Sequence, residues 1–197
     1  MYRALYLVRR LSVTLAAKEA QSNLSSPLWG SFNELFQENW SRVYRLLFRM
    51  TGDHAEAEDL ALEVFWRLHD TPPSVSDNLN IKGWLYRVAV NLGYNALRGM
   101  HRRSLYEASA GRRELDNVRA SDPAVEVERT HQRQQVHQVL AEMKPRSAHI
   151  LIMRHSGFTY AEIAATVGIR PGSVGTLLAR AEYEFQKLYT ARFGSDA

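Results

Sequence analysis

Three stretches of this sequence place charged or polar side chains where they could meet a partner. From Asp53 to Asp70 there are six carboxylates against one strong base, Arg67. On a helix, Glu56, Asp59 and Glu63 fall near one another, opposite an apolar side. From Lys82 to Arg103 there are five basic residues and no acid. Asn91 and Asn95 stand one helical turn apart there, with Arg98 close by. Asparagine costs helix propensity, so two of them aligned with arginines fit a surface that touches phosphates and base edges. A solvated acidic face and a plain basic helix surface are the alternatives for these two stretches. The third stretch, Gly157 to Ala181, reads as two short helices with a tight turn between them. Thr159 and Glu162 have capping-box spacing, so a helix is predicted to begin near Tyr160. Gly168 stands where that helix must end, and Pro171 suits the first turn of the next. Such a helix-turn-helix can lay its second helix in a DNA major groove, although an ordinary helical hairpin shares the pattern.

Composition narrows the chemistry. In 197 residues, Lys and Arg number 25 and Asp and Glu 21, a formal charge of +4. The excess fits a polyanionic partner without requiring one. With no cysteine in the chain, disulfides, thiolate catalysis and Cys-ligated zinc are excluded. The histidine pairs His131/His137 and His149/His155 are six apart, which does not place them on one helical face. No nucleophile–base pair or metal-ligand spacing stands out, so neither an enzyme nor a cofactor is expected. No apolar run reaches the length of a membrane-spanning helix, and the expected location is the cytoplasm.

The elements that must position these residues are all helical. Residues 1–26 form an extension with Leu7, Leu11 and Leu15 on one helical face, and no function is assigned to it. The arginine pair Arg9-Arg10 interrupts its apolar stretch, which disfavours a signal peptide. Pro27 to Met50 carries a wide apolar stripe that includes Phe32, Leu35, Phe36, Trp40, Val43 and Leu47. Asp53 caps a second helix to about His69, with Ala57, Leu60, Ala61, Val64, Phe65 and Leu68 inward. Thr71 to Asn80 is a polar loop, and a third helix is predicted from Ile81 to about Arg102. Ser104 to Thr130 reads as a linker, because it lacks sustained apolar periodicity. From His131 the stripe of Val136, Val139, Leu140 and Met143 opens a second unit. A helix beginning at Pro145 follows, then the helix-turn-helix and a last helix to about Tyr189. The expected fold is all-α: two small helical domains, 27–103 and 131–193, joined by a flexible linker at 104–130, with a tail at 194–197.

With these motifs in order, the sequence resembles bacterial RNA polymerase sigma factors of the extracytoplasmic-function group. AEAEDLALEVFWRLH and IKGWLYRVAVNLGYNALRGMHRR resemble sigma region 2, and TYAEIAATVGIRPGSVGTLLARA resembles region 4. The resemblance implies a transcription initiation factor that binds core RNA polymerase and promoter DNA. It implies that Glu58, Asp59 and Glu63 dock on the beta-prime clamp helices, with Leu62 and Trp66 divided between packing and that interface. The loop Pro72–Asn80 would receive a flipped base of the minus-10 element, and Lys82, Trp84, Arg87, Asn91, Asn95 and Arg98 would hold the non-template strand. Arg170, Pro171, Ser173, Val174, Thr176 and Arg180 would read the minus-35 element. An anti-sigma protein is a further partner that the resemblance implies, and membrane insertion is not expected. The sequence departs from the family pattern at Gly175, Leu177 and Glu182, where basic residues are common, and at Asn95, where aspartate is common. A sigma-like DNA-binding or polymerase-binding regulator with weakened minus-35 recognition is the alternative reading.

Overall fold

The structure, a computed structural model, describes residues 32–73, 80–109 and 123–194. Seven α-helices occur among them: α1 Phe32–Thr51, α2 His54–Asp70, α3 Ile81–Ser109, α4 Pro123–Glu142, α5 Pro145–His155, α6 Tyr160–Val167 and α7 Val174–Phe193. A single 3-10 turn, Pro171–Ser173, precedes α7. The extension 1–26, the middle of the Pro72–Asn80 loop and the tail beyond Gly194 lie outside the described residues.

Local chemistry sets most helix ends. Gly52 turns at φ 71° between α1 and α2. The Asp53 carboxylate then accepts the Glu56 N–H at 2.7 Å and caps α2. Asn80 does the same for α3, accepting the Gly83 N–H at 2.9 Å. At α6 the expected capping box is complete: Thr159 accepts the Glu162 N–H, and the Glu162 carboxylate accepts the Thr159 N–H. Gly168 ends α6 in the left-handed region, at φ 69° and ψ 49°. No side chain of its own caps α5, so α7 supplies the acceptor. Glu184 accepts from the Lys144 N–H at 3.0 Å and the Ser147 hydroxyl at 2.7 Å.

Three boundaries differ from expectation. Helix α3 runs on to Ser109, and α4 begins at Pro123 rather than His131, so only 110–122 separates them, outside the described residues. From Arg102 to Glu107 the side chains of α3 are exposed, so an apolar stripe could not have marked this part of the helix. At the other end, α7 continues to Phe193, and its Arg192 pairs with Glu142 at the end of α4.

Helices α1, α2 and α3 form one group, and α5, α6 and α7 with the C-terminal part of α4 form the other. Their apolar interiors merge into one cluster that passes through α3. Tyr86 of α3 is the junction. Its ring meets Phe158 edge-on, with centroids 4.7 Å apart at 84°, and both side chains are buried. Its hydroxyl donates to Asn39 Oδ1 at 2.9 Å, while Asn39 donates to the Leu35 carbonyl, so this buried polar pair is satisfied. Nearby, the buried Tyr94 hydroxyl donates to the Met143 carbonyl at 2.7 Å, and burial raises its pKa.

Candidate nucleic-acid interface

The turn into α7 is built for exposure. Pro171 fixes the first position, and the Ser173 N–H closes the 3-10 turn on the Arg170 carbonyl at 2.9 Å. Neither Arg170 nor Ser173 caps the helix with its side chain. The Ser173 and Val174 N–H groups are spent within the turn and Pro171 has none, so the attraction for an anion here comes from the side chains. Arg170, Pro171, Ser173, Thr176 and Arg180 are exposed. Arg170, Ser173, Thr176 and Arg180 line one surface hollow together with Arg146 of α5. Among the described residues no carboxylate pairs with these three arginines. Val174 stands apart: it is fully buried in the core and holds α7 in place from within. Arg146 escaped the sequence reading. Its only local signal is a basic residue directly after Pro145, on a helix whose stripe points the other way.

The basic helix α3 divides into parts with different surroundings. Asn95 and Arg98 are exposed, and the Arg98 guanidinium lies 5.9 Å from the centre of the Tyr94 ring. Lys82 pairs with Glu38 at 3.1 Å, but both side chains are more than half exposed, so the pair contributes little. Trp84 is half-buried and packs against the core. Arg87 is engaged: it donates to the Thr166 carbonyl at 2.7 Å and to the Ala165 carbonyl at 3.1 Å. Asn91 is exposed beside it, in a second hollow walled by Pro145, Arg146, His149 and the end of α6. His149 has its pKa pushed down to about 4 by burial.

On α2, Glu58 is exposed, Asp59 is half-buried, and Glu63 bonds Arg67 one turn on at 2.8 Å. Leu62 is buried, 7% exposed, so it packs inward rather than presenting a face. Trp66 is half-buried and stacks on His69 with centroids 5.9 Å apart. Of the residues expected to dock, Glu58, Asp59 and Glu63 thus remain at the surface, on the helix that also exposes Glu56, and Trp66 is half-buried.

Family comparisons match this division of the chain. The sequence model of Sigma-70 region 2 matches residues 35–103, and that of Sigma-70 region 4 matches residues 133–184. The chain belongs to the sigma-70 family, in its extracytoplasmic-function group. It is 30% identical over 169 residues to the ECF RNA polymerase sigma factor SigE of Mycolicibacterium smegmatis, covering 84% of this chain and 64% of that protein. It is 27% identical over 161 residues to the RNA polymerase sigma factor YlaC of Bacillus subtilis, covering 81% of this chain and 92% of that protein. Among solved structures, CnrH in complex with the cytosolic domain of CnrY shares the fold. That match has a TM-score of 0.51 and 17% identity, and it covers 91% of this chain and 97% of that one. Region 2 thus contains α1, α2 and most of α3, and region 4 contains the helix-turn-helix. Among the described residues no group of His, Asp and Glu could hold a metal ion, and no helix is long and apolar enough to cross a membrane.

Proposed function

We propose that this sigma factor binds core RNA polymerase through α2, holds the minus-10 element on α3 and reads the minus-35 element with the turn into α7. The observation that carries this reading is the pair of exposed polar faces, one in each family-matched region. Asn91, Asn95 and Arg98 mark the first face, and Arg146, Arg170 and Arg180 the second. Asparagine amides can pair with the edges of unstacked bases while Lys82, Arg87 and Arg98 neutralise the strand. Serine, threonine and arginine at a helix N-terminus can hold a duplex by phosphates and base edges. Glu58, Asp59 and Glu63 would steer docking on the basic beta-prime clamp helices, where complementary charge sets orientation and encounter rate. Polymerase would carry the phosphodiester chemistry, and this chain would select and open the template. Members of this group are often held by an anti-sigma protein, and a partner of that kind belongs to the reading.

Reconstitution with core polymerase and a promoter library tests it. The expected result is core binding and a defined start site dependent on both elements. A folded sample that does not bind core would reject the reading. A sigma-like regulator with weakened minus-35 recognition is the second reading, favoured by Gly175, Leu177 and Glu182 on α7. Duplex binding without polymerase-dependent initiation would support that one instead.

A further inference from the structure

Five aromatic rings form a ladder along α1. Phe32, Phe36, Trp40, Tyr44 and Phe48 recur every fourth residue, so they fall on one helical side. Successive ring centroids are 5.1 to 6.4 Å apart. Helix α2 runs antiparallel beside them. His54 stacks on Phe48 at 4.2 Å, Phe65 meets Phe36 at 4.7 Å, and His69 meets Phe32 edge-on at 5.6 Å. The ladder packs on the core, yet all five rings stay half-buried. At ~1.5 Å per residue the ladder is roughly 24 Å long, which leaves an extended apolar strip at the surface. No residue of this strip belongs to the proposed DNA surfaces.

The α2 wall of the strip is acidic. Glu58 stands one turn after His54 and is exposed, and Asp59 follows it, half-buried. Among the described residues neither carboxylate has an ion-pair partner. An apolar strip with an acidic wall fits a helix that has an apolar face and a basic flank. Residues 1–31, which lead into Phe32 and lie outside the described residues, carry that pattern. Leu7, Leu11 and Leu15 repeat at the four-residue spacing of the rings, ~6 Å per step on a helix. Arg3 and Arg10 are seven apart, on one flank of the leucine face. Four basic residues and one acid, Glu19, occur in this stretch. Residues 16–31 connect Leu15 to Phe32 with a reach of up to roughly 50 Å, about twice the length of the ladder. The segment can therefore fold back over any part of the strip, and the tether supplies a millimolar effective concentration.

We propose that residues 3–18 dock as a helix on the aromatic ladder, antiparallel to α1, with Leu15, Leu11 and Leu7 over Phe36, Trp40 and Tyr44. Arg3 and Arg10 then face α2 beside Glu58 and Asp59. The docked segment covers carboxylates that core polymerase would use, so it competes with the clamp helices for α2. That competition rests on the proposed role of α2, whereas the docking does not.

The chain has no native cysteine, so two spin labels can be placed without background. Full-length Ser12→Cys/Arg45→Cys puts one label on the segment and the other on an exposed residue of α1. One narrow distance is expected, and adding Leu7→Asp/Leu11→Asp should turn it into a broad distribution. A broad distribution without the aspartates overturns docking, and a narrow one that survives them overturns the leucine face. A short distance between chains, seen on mixing singly labelled Ser12→Cys and Arg45→Cys samples, means that a second copy fills the strip, and it also overturns the proposal. Core affinity tests the competition separately. With the segment docked ~80% of the time, Leu7→Asp/Leu11→Asp should bind core about fivefold tighter than the parent. Equal affinities beside a narrow distance overturn the competition and leave docking standing. A folded chain that binds core in neither form rejects the polymerase reading, and the competition with it, while the distances still decide docking.

Discussion

Glu162 has two structural roles, and paired changes at Glu162 and Arg42 separate them. Its carboxylate closes the α6 capping box on Thr159 and receives the Arg42 fork. The Arg42 hydrogen bond, helped by those from Thr159, holds this carboxyl at about 2, against an ordinary value of 4.5. At about 1.4 kcal/mol per pH unit, that gap bounds the preference of the fold for the ionised form near 3 kcal/mol. The two side chains are 33% and 30% exposed, so solvent screening brings the expected loss in Glu162→Gln at pH 7 to about 1–2 kcal/mol. Arg42→Met removes the fork and leaves the cap, at a cost of about 1 kcal/mol. Because both changes delete the same pair, the double variant should cost less than the sum of the singles, with a coupling of about 1 kcal/mol. The folded pKa lies below the unfolded one, so this stability is fully present above pH 4.5 and is lost as pH falls towards 2. Urea denaturation of parent, singles and double at pH 7 and pH 3 measures all of this. Additive costs at pH 7, or a Glu162→Gln deficit as large at pH 3 as at pH 7, would refute the reasoning.

Further outcomes follow from other parts of the fold. Arg146→Ala, Arg170→Ala and Arg180→Ala should each flatten the salt dependence of duplex binding by about 0.9 in log–log slope, and an unchanged slope removes that residue from the interface. Burial lowers the His149 pKa from 6.5 to about 4, so the contribution of its neutral form is complete above pH 6.5 and disappears as pH falls towards 4. The parent should lose roughly 3 kcal/mol over that interval through this group, a loss that His149→Gln should largely abolish in denaturation curves. Gly175 lies inside α7, where an added Cβ would rest 3.7 Å from the Tyr160 ring, an ordinary contact. Gly175→Ala should therefore raise stability by about 1 kcal/mol, and a lowered melting temperature would count against this geometry.

What the sequence made legible was local. Asp53, Thr159, Glu162 and Gly168 announce their helix ends because each cap spans three or four residues, and all four act as expected. The apolar stripes of α1, α2 and α5 were legible for the same reason. Arg42, Arg49 and Arg146 were not. Each lies on the polar side of a helix, and the partners of the first two are more than 100 residues away in the chain. Periodicity says that such residues leave their own helix surface and nothing about what they meet. Leu62 and Val174 show the converse. Their place within a motif suggested contact with a partner, while the packing of neighbouring helices buries them. Arg87 satisfies the motif and still spends its hydrogen bonds on α6, a conflict visible only when both regions are seen together.

Two of the departures on α7, at Gly175 and Leu177, acquire a physical reason from the same packing. A lysine at position 175 would have to pass Tyr160, whose ring already lies against that position. Tyr160 in turn stands 5.6 Å beneath the Arg154 guanidinium of α5. Leu177 is half-buried and packs on the core, so an arginine there would forfeit apolar burial. The positive charge of this face is shared between helices: Arg146 comes from α5, and Arg170 and Arg180 flank the start of α7. Charge spread over two helices tracks a phosphate backbone well but reaches fewer base edges than charge along one recognition helix. Duplex affinity on this face should thus depend strongly on salt and weakly on sequence, with selectivity resting mainly on the asparagines of α3.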